Sequence, residues 1–230
     1  MRTSLFSVLT AFAALFSVIS CVALPPNSPD SAVSVVSAVS MVSAPVSAAV
    51  TTTVTAAVVI EREKLIIPVN IMGEGRVCAD KMASFLLQNN SNINSAYAIM
   101  LARVYIEESS FEGVNHDIAF VQMCLETGFL RFGGDVKPEQ NNFCGLGAIG
   151  NGEPGLSFPD ARIGVRAQIQ HLQAYAADTP LKLELVNPRY RFVRRGSSPT
   201  IDGLAGTWAA DRQYAVKIKN ILQRLYEYAF

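Results

Sequence analysis

Apolar residues recur at helical spacing in five stretches of the chain, all beyond about Glu61. Cys78, Met82, Phe85 and Leu86 form the first stripe, and Ala98, Leu101, Ala102 and Tyr105 the second, with the polar stretch from Gln88 to Asn94 between them. A third helix starts near Asn115 or Asp117, either of which can cap it. It buries Ile118, Val121 and Leu125 and stops at Gly128, where a left-handed cap is easily made. Val165, Ile169, Leu172 and Ala176 follow a capping Asp160, and Tyr214, Ile218, Ile221, Leu222 and Leu225 follow Asp211. Between the third and fourth helices, residues 133–159 are rich in Gly, Asn and Pro and have room for at most a short hairpin. The pattern predicts a mainly α (α+β) domain over residues 61–230 with one short β-hairpin.

Residues 1–60 have a different texture, with only two charged side chains, Arg2 and Asp30. The apolar run from Leu5 to Ile19 has the length of a signal-peptide core and is short for a membrane span, so residues 1–20 read as an export signal. The run ends in Val18-Ile19-Ser20-Cys21, which resembles a bacterial lipobox, with Cys21 as the expected lipid attachment site. A plain secreted protein and an uncleaved anchor are the alternatives. Residues 21–60 use little beyond Val, Ser, Ala, Thr and Pro, with no helical period and no aromatic residue. They read as a spacer between an anchor and a working domain.

Composition narrows the chemistry. The 230 residues hold 19 basic and 19 acidic side chains, so the surplus of Lys and Arg on which a nucleic-acid binder depends is missing. Two histidines and four cysteines, with no C-x-x-C pair among them, cannot assemble a standard zinc site, and no cofactor is expected. Gly145-Leu146-Gly147-Ala148-Ile149-Gly150 matches G-x-G-x-x-G, but neither a buried strand before it nor a helix after it is supported. Those glycines read instead as letting the backbone turn and lie close to something flat. A G-x-S-x-G elbow is absent from the chain, and Cys124 and Cys144 sit in apolar settings where thiols behave as small hydrophobes. His116, at a helix start, and His171, on the polar side of a helix, read as capping or surface residues.

The carboxylates remain. Glu126 lies at the C-terminal end of the third helix among apolar neighbours. The negative end of the helix dipole and desolvation should both raise its pKa, and a carboxylic acid still protonated near neutral pH is what a glycosidic leaving oxygen requires.

The run Phe120-Val121-Gln122-Met123-Cys124-Leu125-Glu126-Thr127-Gly128, followed by Asn141-Asn142-Phe143-Cys144-Gly145-Leu146, resembles the glucosaminidase domain of glycoside hydrolase family 73. The family pattern is A-x-x-Q-x-x-x-E-[ST]-G and then N-[NL]-x-F/C-G. Glu112-Gly113-Val114-Asn115-His116-Asp117 and the later Trp208, Asp211 and Tyr214 resemble further segments of a bacterial subgroup, so four blocks match in order over roughly residues 75–228. The resemblance implies a lysozyme-like helical fold and cleavage after N-acetylglucosamine in peptidoglycan glycan strands, with Glu126 as general acid. The second acidic residue that many members carry on a hairpin corresponds to Glu153, which stands closer to Glu126 than is usual. Trp208 occupies a position where many members have tyrosine; Tyr214 matches the family tyrosine.

On this reading the protein is an exported, membrane-anchored endo-β-N-acetylglucosaminidase of the cell envelope. Asn142, Phe143, Trp208 and Tyr214 are its candidate sugar contacts, with core packing as the bland reading of the aromatic residues. A wall-binding or assembly module without turnover, and a lytic transglycosylase, are the competing readings. Arg189, Arg191, Arg194 and Arg195 form either a solvated loop or a patch that attracts anionic wall components. Composition leaves the oligomeric state open.

Overall fold

The computed structural model describes residues 65–230 apart from Ile149, Asn151 and Glu153. The export signal, Cys21, the spacer and the candidate second acid Glu153 lie outside the described residues. Five helices carry the domain: α1 (Ala79–Asn89), α2 (Ser95–Glu112), α3 (His116–Glu126), α4 (Ala161–Ala176) and α5 (Tyr214–Ala229). The domain is mainly α, as the periodicity and the lysozyme-like expectation require.

α3 is the central element. Every residue from Asp117 to Cys124 is buried, so this helix is covered all round rather than along the single stripe that its sequence suggested. α5 packs along one side of it and α2 and α4 along others, while α1 lies on α2 and α5. The core joins Phe85, Leu101, Tyr105, Phe120, Ile169 and Leu222, all essentially inaccessible.

The start of α3 is fixed by polar groups. Asn115 caps it, its Oδ1 accepting from the amides of Asp117 and Ile118 at 3.0 and 3.3 Å. Asp117 is fully buried, yet it accepts from the amides of Arg76 and Val77 and from the Tyr226 hydroxyl. That single carboxylate pins the incoming chain and α5 to the same end of α3. The Glu112–Asp117 block is therefore largely a docking device for residues 70–77, completed by an isolated bridge between Met72 and Val114.

Asp160 caps α4 as expected, through the Ile163 amide. Asp211 does not cap α5. It stands one turn earlier, its side chain accepting from the Gln213 amide and its carbonyl from Tyr214, so that the helix begins at Tyr214.

The arms of the expected hairpin meet at Leu146 and Leu156 through one backbone bond of 2.8 Å, and among the described residues this segment forms no extended strand. Its close backbone approach is to the chain itself. A Cβ at Gly155, where φ is +70°, would lie 2.9 Å from the Leu146 carbonyl oxygen. At Gly164 a Cβ would lie 1.8 Å from the Asn141 carbonyl oxygen, so the first turn of α4 presses directly on this loop. No described helix is long and apolar enough to cross a membrane.

Candidate active site

Glu126 is the last residue of α3, and the turn beyond it explains why Thr and Gly follow. Gly128, Phe129 and Leu130 all have positive φ, between +57° and +60°, a left-handed turn that costs roughly 1 kcal/mol or more at each non-glycine residue. Thr127 brackets it: its hydroxyl donates to the Met123 carbonyl at 2.7 Å and accepts from the Leu130 amide at 2.8 Å. Asn90 on the α1 side donates to the Phe129 carbonyl. The chain thus leaves α3 abruptly, and Glu126 stands at the rim of the core instead of being followed by another helical turn.

The carboxyl lies at the floor of an open cleft. Its surface is accessible to solvent, while protein atoms crowd it from the other sides. That surrounding raises its pKa, desolvation being the main cause, and hydrogen bonds from Tyr214 and Trp208 act in the opposite direction. Both donors reach the same oxygen. The Tyr214 hydroxyl and the Trp208 indole N–H, the latter at 3.2 Å, donate to Oε1. Oε2 has no hydrogen-bond partner among the described residues and faces a cavity of about 170 Å³ lined by Asp135, Val136, Asn142, Gly145 and Ala148 among others.

Behind Tyr214 runs a buried chain of hydrogen bonds with one direction. Tyr105 donates to Gln168 Oε1 at 2.6 Å; Gln168 Nε2 donates to Gln122 Oε1 at 2.8 Å and to the Ala119 carbonyl at 3.0 Å; Gln122 Nε2 donates to the Tyr214 hydroxyl at 3.0 Å. The backbone carbonyl of Ala119 cannot flip, so it fixes the orientation of the Gln168 amide and, through it, that of Gln122. The Tyr214 oxygen is thereby occupied as an acceptor, and its proton is left for Glu126.

Trp208 is held from behind by two rings. His171 meets it edge to face at a centroid separation of 4.9 Å and Tyr175 at 5.7 Å. His171 is not a surface residue as its helical position suggested. It is half-buried, Asn187 bonds its Nδ1 at 2.9 Å, and burial together with the charge of Arg189 brings its pKa down to about 4.

Two expected sugar contacts are engaged within the protein instead. Phe143 is 1% exposed and packs against Tyr105 and Phe132 in the core, leaving no face for a sugar ring. Asn142 lines the cavity but its amide is committed: it donates to the carbonyls of Leu146 and Leu156 and accepts from the Leu146 amide, all at 2.9 Å. The N-[NL]-x-F/C-G block therefore shapes the wall of the cleft. Asp135, which shares the cavity with Glu126, went unnoticed in the sequence because its Gly-rich setting carries no motif. Cys124 and Cys144 are buried free thiols whose pKa values desolvation pushes up, which suits packing rather than nucleophilic attack. Among the described residues no group of three or more His, Cys, Asp or Glu side chains is placed to hold a metal ion.

Comparison with known proteins identifies the family. Residues 102–227 match the glucosaminidase family model, described as mannosyl-glycoprotein endo-beta-N-acetylglucosaminidase. An uncharacterised protein of Borreliella burgdorferi is 44% identical over 158 residues, which is 69% of this chain and 78% of that one. No solved structure matches the chain. The family match spans α3, the cleft loop, α4 and α5, all the elements that surround Glu126, and the chain belongs to the glucosaminidase family of peptidoglycan-directed glycoside hydrolases.

Proposed function

We propose that this protein is an endo-β-N-acetylglucosaminidase that cleaves peptidoglycan glycan strands, with Glu126 as its general acid. The observation that carries this reading is the asymmetry of the Glu126 carboxyl. Oε1 receives two donors and has no room for a proton of its own, so the proton resides on Oε2, the oxygen turned to the cavity. The raised pKa keeps that proton in place closer to neutral pH than an ordinary glutamate would.

In the reaction Oε2–H protonates the glycosidic oxygen as the C1–O bond breaks. The carbonyl oxygen of the 2-acetamido group attacks C1 from the other face and forms a cyclic cation, so a protein nucleophile is not required. Water then adds to C1, its proton returning to Glu126 and the acetamide being released. As negative charge develops on Glu126, the Tyr214 and Trp208 donors stabilise it without reorganising, since the buried chain already aims them. The second acidic role, orienting the acetamide or the water, falls to Glu153 or to Asp135. Asp135→Asn and Glu153→Gln compared side by side assign it.

Mass spectrometry of the products from purified peptidoglycan is the deciding experiment. Reducing N-acetylglucosamine ends are expected. Anhydro-muramic ends would make the protein a lytic transglycosylase, and undigested wall with protein bound to it would make it a binding module. Export and lipid attachment at Cys21 belong to the same proposal: a labelled fatty acid should be incorporated by the wild-type chain and not by Cys21→Ser.

A further inference from the structure

Beside the cleft lies a second concavity, of about 400 Å³, lined by Leu185, Val186, Asn187, Pro188 and Arg191. Its wall is tied to the cleft through Asn187, which bonds His171, whose ring packs on Trp208, the donor to Glu126. Its rim is cationic. The guanidinium groups of Arg189 and Arg191 lie 4.9 and 4.8 Å from the ring centroid of Phe192, which is 61% exposed, and neither meets a carboxylate among the described residues. Arg189 is near enough to the cleft that its charge acts on both rings behind Trp208, adding to the burial that lowers the His171 pKa and opposing the burial that raises that of Tyr175. Arg195 differs: it donates to the Thr179 carbonyl and lies over Tyr190, a structural placement.

Where the lactyl carboxyl of each muramic acid is tied up as an amide to its stem peptide, the glycan itself offers no charge to two unpaired guanidinium groups. The stem peptides attached along that glycan do, because they carry carboxylates on a short, partly apolar chain. We propose that this concavity is a subsite for the anionic stem peptide of peptidoglycan, with Arg189 and Arg191 binding its carboxylate and Leu185, Val186 and Pro188 receiving its aliphatic part. The proposal rests on the reading of the cleft as a glycan site and extends it from the sugar to the peptide. A cavity with apolar walls and charge on one side suits a peptide better than a phosphate polymer, which would call for converging donors throughout.

The test uses the full chain and a variant, Arg189→Gln/Arg191→Gln, whose substituted side chains are exposed and should leave the melting temperature unchanged. kcat/KM is measured on glycan strands bearing stem peptides and on the same strands after the stem carboxylates have been converted to amides. The wild type should prefer strands with free stem carboxylates by about tenfold, the scale of a charge-assisted hydrogen bond, and the variant should lose that preference while keeping its rate on the amidated strands. Equal rates of the wild type on both substrates, or an equal loss by the variant on both, overturns the subsite.

Binding is read separately from the fluorescence of Trp208, the chain's single tryptophan, on titration with a soluble disaccharide-peptide or with polyglycerol phosphate. Disaccharide-peptide binding that weakens about tenfold in the variant supports the subsite even where no turnover is seen, in which case only the hydrolase reading falls. Binding unaffected by the double substitution, or a response to polyglycerol phosphate alone, overturns it.

Discussion

Glu108 and Glu126 sit on neighbouring helices and differ in what surrounds them. Glu108 is wholly buried between two guanidinium groups: Arg162 reaches Oε1 at 2.8 Å, and Arg166 binds both oxygens at 2.8 and 3.2 Å. Its charge is matched on the spot, and the cluster ties α2 to α4. Glu126 is at a cleft and receives only neutral donors, a phenol and an indole. A carboxylate clasped by two cations is a strut. One given desolvation and neutral donors can gain and lose a proton, which acid catalysis requires.

Exchanging each glutamate for glutamine should therefore produce opposite results. Glu126→Gln keeps size and hydrogen bonding but has no proton to give, so turnover should fall a hundredfold or more, with stability shifted by about 0.5 kcal/mol or less. A melting curve beside a peptidoglycan-clearing assay checks both halves. Near wild-type turnover would remove the assignment of Glu126 as general acid. Glu108→Gln should leave activity per folded molecule intact and cost about 2 kcal/mol of stability, because two partly buried guanidinium groups lose their counter-charge. Chemical denaturation measures that loss.

A smaller effect separates the cleft from the rest of the molecule by pH. His171 titrates at about 4 in the fold, against 6.5 ordinarily, so between those values the unfolded chain binds the extra proton and the folded one does not. Stability should fall as pH drops through that window, by about 1.5 kcal/mol at pH 5 once partial exposure is allowed for. His171→Gln should flatten that part of the profile, and an unchanged slope in thermal melts at pH 5 and 7 would place the acid sensitivity elsewhere.

Tyr214→Phe sharpens the contrast at its finest. It removes a donor that lowers the Glu126 pKa, so the alkaline limb of the kcat/KM profile, set by loss of the Glu126 proton, should move to higher pH. Activity at the optimum should fall about tenfold, the worth of a hydrogen bond to a charged group. A limb that moves down, or stays, would mean that another group governs it.

Much of this was legible in the chain. The five stripes gave the helices because burial against a common core imposes helical spacing, and Asn115 and Asp160 cap where a short polar side chain precedes an apolar run. The E-[ST]-G block pointed to Glu126 through the family resemblance, to which its place at a helix end among apolar neighbours gave a chemical reason. The polar chain behind Tyr214 was not legible, because Tyr105, Gln168 and Gln122 come from three helices and no local pattern shows that a buried glutamine has found a partner far along the sequence. Phe143 was misplaced for a related reason: an aromatic residue beside glycines reads equally as a sugar platform or a core residue, and only packing against Tyr105 decides. His171 faces Trp208 because the segment carrying Asn187 folds back over α4, a long-range event.

The dimensions of α3 carry a last consequence. Asp117, near its start, is clamped by the incoming chain and by α5, and Glu126 ends it. The nine steps between them amount to about 13 Å of rise and two and a half turns, so the anchor and the acid point to opposite sides of one rigid rod. Inserting or deleting a single residue within that rod would swing Glu126 by about 100° away from Tyr214 and Trp208 while leaving the clamp closed. The interval between the two acids is thus a fixed length in this molecule.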